Sequence, residues 1–257
     1  MATELSSASD VQAALRTHAS DARAQVSQSF FKTGPGMYGA GDRFLGVTVP
    51  AQRAVAKRAR ALAYRDLDAL LASPWHEDRL TALLVLVDRY ERGNHQEKSD
   101  AAAFYASRFS AVNNWDLVDL SAWQILGRHV RAGAPSPLGA LAQSSVLWER
   151  RIAMVSTYAW IKEGEAEPAL SIARMLLGDR EDLMHKAVGW MLREVGKRVG
   201  KATLERFLDV QADHMPRTAL RYAIERFPEE ERRRWLARGK GVRAPSAMKR
   251  SALRNGA

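Results

Sequence analysis

In the segment Asn-Asn-Trp-Asp-Leu-Val-Asp, Trp115 and Asp119 stand four residues apart. That spacing puts two side chains on one helix face, and an indole beside a carboxylate suits a planar, cationic partner. A plainer account is also open at this point. Asp116 and Asp119 would be acids early in a helix, where the dipole favours them, and Trp115 a neighbouring core residue.

A second segment, D-L-M-H-K-A-V-G-W-M-L-R-E-V-G-K-R, carries Lys186, Trp190, Arg193 and Lys197 at three- or four-residue spacing. Cations flanking an aromatic ring suit a surface that meets phosphate and sugar; a solvated basic helix face would look the same. Arg150 and Arg151 sit in L-W-E-R-R-I-A-M-V, and Arg217 and Arg221 lie one turn apart in M-P-R-T-A-L-R-Y. If these helices stack as repeats, their basic positions align along one concave wall. That register favours a nucleic-acid surface over a merely soluble one. The stretch F-K-T-G-P-G-M-Y-G-A-G-D-R-F sets Gly34, Gly36 and Gly39 at a formal G-x-G-x-x-G spacing. A dinucleotide site needs a strand before that motif and a helix opening directly from it, whereas here Pro35 lies inside it and more loop follows. The stretch reads as a shaped loop packed between helices, or as backbone that approaches a DNA strand with Lys32 and Arg43 close by.

Charge narrows the partners. Lys and Arg number 39 against 29 Asp and Glu, a net charge of +10 over 257 residues. That excess favours an anionic partner, either nucleic acid or an acidic membrane surface. There is no cysteine, which removes disulfides, thiolate metal sites and cysteine nucleophiles and suits a reducing compartment. The histidines at 18, 76, 95, 129, 185 and 214 show no zincin-like pair. Metal-free chemistry is therefore expected. The first residues carry early acids and no long apolar run, and no stretch is long and apolar enough to span a bilayer. The expectation is a cytoplasmic, monomeric protein with no membrane contact.

The elements that must position these residues are helices. Leu80, Leu83, Leu84 and Val87 recur at helical spacing and stop at Gly93. Asn113 and Asn114 cap a helix that carries Leu117, Leu120 and Ile125 along one side. Pro216 suits a first-turn position, and Trp148, Trp160 and Trp235 read as core. Long helices start near His76, Asn114, Leu147, Asp182 and Pro216, with shorter helices such as P-L-G-A-L-A-Q between them. A helical unit recurring at this interval marks a solenoid of about six helix pairs whose neighbours bury one another. The fold class expected is all-α, a curved solenoid (superhelix) of HEAT-like repeats. Residues 1–238 would form one domain, and residues 239–257, with five basic residues and no acid, a disordered basic tail.

The strings N-N-W-D-L-V-D-L-S-A, L-W-E-R-R-I-A-M-V-S, H-K-A-V-G-W-M-L-R-E-V-G-K and F-L-G-V-T-V-P-A-Q-R resemble, in this order, the AlkD-type DNA alkylation-repair glycosylases. The resemblance runs from about Phe30 to Phe227. It implies a positively charged groove for duplex DNA and excision of cationic lesions, mainly 3-methyladenine and 7-methylguanine, without a metal or cofactor. It also implies that the damaged base is not turned out into a pocket. Matched by motif, Trp115 and Asp119 take the places of the catalytic tryptophan and aspartate, and Arg151 that of the arginine gripping a phosphate. Trp190 and Arg193 take those of the second tryptophan and its arginine. Lys186, Lys197, Arg150, Arg217, Arg221, Lys32 and Arg43 join the expected DNA-binding set. The Gly-rich loop departs from the best-known members, as in a distinct branch of the superfamily. The chemistry fits: an alkylated base is already cationic, so it leaves with little acid assistance, and a carboxylate can steady the oxocarbenium-like sugar. Two other functions stay open, a non-catalytic binder of damaged or distorted DNA and a HEAT-type protein-interaction scaffold.

Overall fold

The computed structural model describes residues 4–238; the expected basic tail, 239–257, lies outside the described residues. Those residues form helices and no strand, with one isolated bridge between Arg43 and Trp75. The all-helical reading is met. No helix among the described residues is long and apolar enough to cross a membrane. The chain falls into two compact units that meet in sequence between Glu163 and Gly164.

The first unit holds α1 (Ala8–Arg16), α2 (Asp21–Phe30), α3 (Val49–Arg58), α4 (Tyr64–Leu71), α5 (His76–Arg92), α6 (His95–Ala106), α7 (Trp115–Asp119), α8 (Arg128–Arg131), α9 (Leu138–Ala142), α10 (Leu147–Ser156) and α11 (Tyr158–Ile161). Its centre is α5, which packs on α3, α4 and α6. The sequence pattern pointed to one apolar face there, but α5 is buried on every side from His76 to Leu86. His76, Glu77, Asp78 and Arg79 are therefore inside the protein, and each needs partners. The second unit holds α12 (Glu167–Leu176), α13 (Asp182–Arg198), α14 (Lys201–Gln211), α15 (Arg217–Ala223) and α16 (Glu229–Arg238). Here α13 is the hub, packed on α12, α14 and most closely on α15. Helices one or two places apart in sequence thus bury one another's apolar sides, as stacked helical units do.

The five long-helix starts fall at or one residue beyond their expected positions. Three local readings need correction. The segment from Asn114 to Val130 is not one helix. It breaks after Asp119, continues as a π-helical turn from Trp123 to Gly127, and resumes as α8. Leu120 consequently ends α7 and is only half-buried, while Leu117 and Ile125 are fully buried. Pro216 precedes α15 as its cap residue, with extended ψ of 139°, and does not sit in the first turn. Of the three tryptophans read as core, Trp235 is buried, while Trp148 and Trp160 are half-buried.

Candidate active site

The buried start of α5 organises the first unit. Glu77 accepts the backbone N–H groups of Leu45, Gly46 and Val47 at 2.8–3.2 Å, pinning the end of the Gly-rich loop. Asp78 accepts from the Ser73 hydroxyl at 2.7 Å and the Gln12 amide at 3.2 Å. The His76 ring lies between two carboxylates, with Nδ1 at 3.1 Å from Asp42 and Nε2 at 2.8 Å from Asp116. Arg79 donates to Asp42 as well, and so does the Asn114 side-chain amide, at 3.0 Å. Burial alone would lower the His76 pKa. Hydrogen bonds to Asp116 and Asp42, with their charges, raise it instead to about 9. The ring is thus an imidazolium at neutral pH, donating from both nitrogens. Asp42 is held below the ordinary carboxylate range in spite of its burial, by His76, Arg79 and Asn114.

This network fixes α7 at its N-terminus. Asn114, fully buried, donates to Asp42 and accepts the Trp115 N–H at 2.8 Å. Asp116 holds His76 with one oxygen and the Leu117 N–H with the other, at 2.9 Å. The Trp115 ring stacks on Phe31, centroids 5.2 Å apart and planes 16° apart, and meets Phe30 edge-on. Phe31 in turn stacks on Phe44, and Phe44 on His76. Behind α7 the Tyr105 hydroxyl bonds Ser121 at 2.9 Å. Trp115 therefore stands on an aromatic column whose base is the buried imidazolium.

At the other end of α7, Asp119 meets Arg151 of α10. Nε and a terminal nitrogen of the guanidinium reach the two carboxylate oxygens at 3.0 and 2.9 Å, a bidentate pair. Arg151 is 5% exposed and Asp119 17%, so the arginine is internal and the acid reaches solvent. Burial pushes the Asp119 carboxyl above its ordinary range. The Arg151 guanidinium pulls it down, and the charge of Asp116 adds to the rise. Each carboxylate oxygen can accept more than one hydrogen bond, so the ion pair does not exhaust Asp119.

The structure brings together Trp115, Asp119 and Arg151, all from the first unit. Arg150, next to Arg151, turns back to the carbonyls of Ser144 and Ser145, at 3.0 Å each. Lys32 is exposed in a left-handed turn, φ 55°. Arg43 is exposed while its backbone covers the start of α5, its carbonyl accepting the His76 N–H at 2.8 Å. Of the glycines between them Gly39 serves packing, since a Cβ there would sit 2.3 Å from the Phe31 carbonyl oxygen, whereas Gly36 and Gly41 have open space and positive φ of 75° and 90°. In the second unit, Lys186, Trp190, Arg193 and Lys197 all lie on the side of α13 that is not buried. Lys186 pairs with Asp182 at 2.9 Å, and Arg193 pairs with Glu225. Arg217 and Arg221 are exposed on α15, Arg217 donating to the Leu236 carbonyl. Sequence reasoning missed His76 and Asp42, and saw in Asp116 only an acid in a first turn. The one available signal was the polar run His-Glu-Asp-Arg opening an otherwise apolar helix. Among the described residues, no three His, Asp or Glu side chains are gathered as a metal ion would require.

Residues 11–227 match the family of the DNA alkylation repair enzyme. The chain belongs to that family. The solved structure of a predicted DNA alkylation repair enzyme from Enterococcus faecalis has a similar fold, with a TM-score of 0.63. The two are 16% identical, over 82% of this chain and 98% of that one. No curated protein matches the chain. The family span takes in all three residues gathered at α7 and α10, so this member of the DNA alkylation repair enzymes carries its Trp–Asp–Arg cluster inside the matched region.

Proposed function

We propose that this family member is a monofunctional DNA glycosylase. It hydrolyses the N-glycosidic bond of cationic alkylated bases such as 3-methyladenine and 7-methylguanine in duplex DNA, with no metal or cofactor. The observation that carries this reading is the Asp119 carboxylate, fixed from behind by a buried arginine and largely buried itself, yet with an edge that reaches solvent on the helix that carries Trp115. A groove built only to grip phosphates gains nothing from an acid at its surface.

The bond between C1′ and the base nitrogen breaks with its electron pair going to the base. An alkylated base is cationic before this step, so it departs neutral and needs no proton. The sugar becomes oxocarbenium-like, and Asp119 faces that positive charge with an anion already oriented, which is worth most where water is scarce. A water oxygen then bonds to C1′. Its released proton passes by way of the Asp119 carboxylate to solvent. Trp115, immobilised on Phe31, offers a flat wall for the deoxyribose. Arg151 keeps Asp119 in one rotamer, a role that the bidentate geometry supports more directly than a phosphate contact. The basic face of α13, with Trp190, and the exposed Arg217 and Arg221 supply phosphate and sugar contacts of their own.

The test is release of methylated base from alkylated duplex DNA, with binding to the same duplex measured alongside. Release shows a glycosylase. Binding without release leaves a damage-recognition protein, and neither leaves a protein-interaction scaffold.

A further inference from the structure

A cavity of about 490 Å³ opens in the first unit, walled by α5, α6, the π-helical turn, α8, α11 and the two residues after it. None of Trp115, Asp119 and Arg151 lines it. Its volume lies within the range of small-molecule sites. Lys98, Arg128, Arg131 and Lys162 line it against the carboxylates of Glu91 and Glu163, an excess of two positive charges. Its aromatic walls are Trp123 and Tyr90.

The local fold places these groups together by a device that is uncommon in helices. The Gly127 N–H bonds the Ala122 carbonyl, five residues back, at 3.0 Å, giving the π turn its extra residue. Such insertions are frequent at functional sites because they re-aim side chains on a helix face. Here the turn is pressed against α10: a Cβ on Gly127 would lie 2.2 Å from the Ser156 carbonyl oxygen. Trp123 opens the π turn and Arg128 follows it directly, so indole and guanidinium project into one cavity. Cations already use both rings. Lys162 Nζ sits 4.4 Å from the Trp123 ring centre, and the Arg128 guanidinium 5.6 Å from that of Tyr90. The ion pair of Arg128 with Glu91 is long, at 3.4 Å, and its two side chains are 38% and 54% exposed. An exposed pair of that kind holds its members weakly, so Arg128 can exchange Glu91 for a better anion at small cost.

We propose that this cavity binds a nucleotide, its phosphate held by Arg128, Arg131 and Lys98 and its base laid on Trp123 in place of Lys162. Guanidinium groups suit phosphate geometry, and base–indole stacking tolerates any base. The nucleotide is either free or a unit of a single strand, and the chemistry of recognition is shared. The site is separate from the proposed glycosylase centre and stands or falls independently of it.

The experiment is equilibrium dialysis of the full chain with radiolabelled ATP, with AMP, inorganic phosphate and a short oligothymidylate as unlabelled competitors. The expected result is saturable binding of one ATP per chain. Arg128→Gln with Arg131→Gln should weaken it about tenfold or more, as expected for lost charge-assisted contacts. Trp123→Phe should weaken it less. Displacement by AMP alone identifies a free nucleotide; displacement by the oligonucleotide as well identifies a strand. Arg131 is exposed and Arg128 half-buried, so a thermal melt of the double variant is run alongside, and loss of binding counts only where the fold is retained. The proposal is overturned if no saturable binding occurs, if the double variant binds ATP as the parent does, or if inorganic phosphate competes as well as AMP. The last result would mean that the aromatic wall takes no part.

Discussion

Asp119→Asn changes one atom of the side chain and separates two roles of the carboxylate. In the parent both oxygens accept from Arg151, at 3.0 and 2.9 Å. The asparagine keeps one acceptor and turns an N–H₂ group toward the guanidinium, while Arg151 stays 95% buried by its 5% exposure. Breaking a buried pair from one side costs about 3–5 kcal/mol, and retention of one hydrogen bond places this variant near about 3 kcal/mol. If Asp119 also stabilises the developing sugar cation, excision of 7-methylguanine should fall roughly a hundred- to a thousandfold. Loss of stability could be mistaken for loss of chemistry, and a double variant separates them. Asp119→Asn with Arg151→Met removes the stranded charge and should recover much of the stability, but none of the excision. The assays are single-turnover release of the modified base from a defined duplex, and urea unfolding of the same preparations. The reasoning fails if the single variant excises at the parental rate. It fails equally if the double variant regains excision along with stability, because the carboxylate would then be structural only.

Three further outcomes follow from the geometry. His76 has a folded pKa of about 9 against an ordinary 6.5, so its contribution, about 3 kcal/mol, is complete below pH 6.5 and lost as pH rises through about 9. Urea midpoints measured from pH 6 to 10 should fall in the parent and much less in His76→Gln; parallel curves would remove His76 as the source. In Gly189→Ala the new methyl would meet the Ala219 carbonyl oxygen and the Tyr222 Cβ, each at 2.5 Å. The variant should lose about 1–2 kcal/mol after its gain in helix propensity, and an unchanged midpoint would show that α13 and α15 can part at little cost. Affinity for undamaged duplex should fall steeply between 50 and 200 mM salt, by counterion release from roughly six or more phosphates; a flat salt profile by fluorescence anisotropy would refute a phosphate-lined surface.

What could be read in the sequence was local. Helix starts at His76, Leu147 and Asp182 are marked by the onset of apolar spacing and by early acids, and neither depends on tertiary structure. The break after Asp119 was hidden because Leu117, Leu120 and Ile125 keep helical spacing across it. The close approach of α10 to Gly127, which leaves no room for a side chain in that turn, is likewise visible only in the assembled unit. Trp115, Asp119 and Arg151 stand out by motif as candidates, but nothing in their spacing says that Asp119 and Arg151 are paired, since they are 32 residues apart. The Asp42–His76–Asp116 network was out of reach for the same reason. Burial on every side of α5 is what turns an ordinary polar helix start into an ionic centre, and burial is a property of the assembled unit.

That ionic centre bears on the order in which the first unit can form. In a stack of repeats each element touches its neighbours, and structure can spread along the chain one unit at a time. Asp42 breaks that rule, because its partners lie 34 residues away at His76 and 72 away at Asn114. The Gly-rich loop has no settled place until α5 and α7 are both present, and closing so long a span is entropically slow to be rewarded. The loop is therefore expected to dock late, and substitutions at Asp42 should speed unfolding more than they slow folding. Trp115, which rests on Phe31 at the head of that loop, is then expected to become rigid only once the loop has docked.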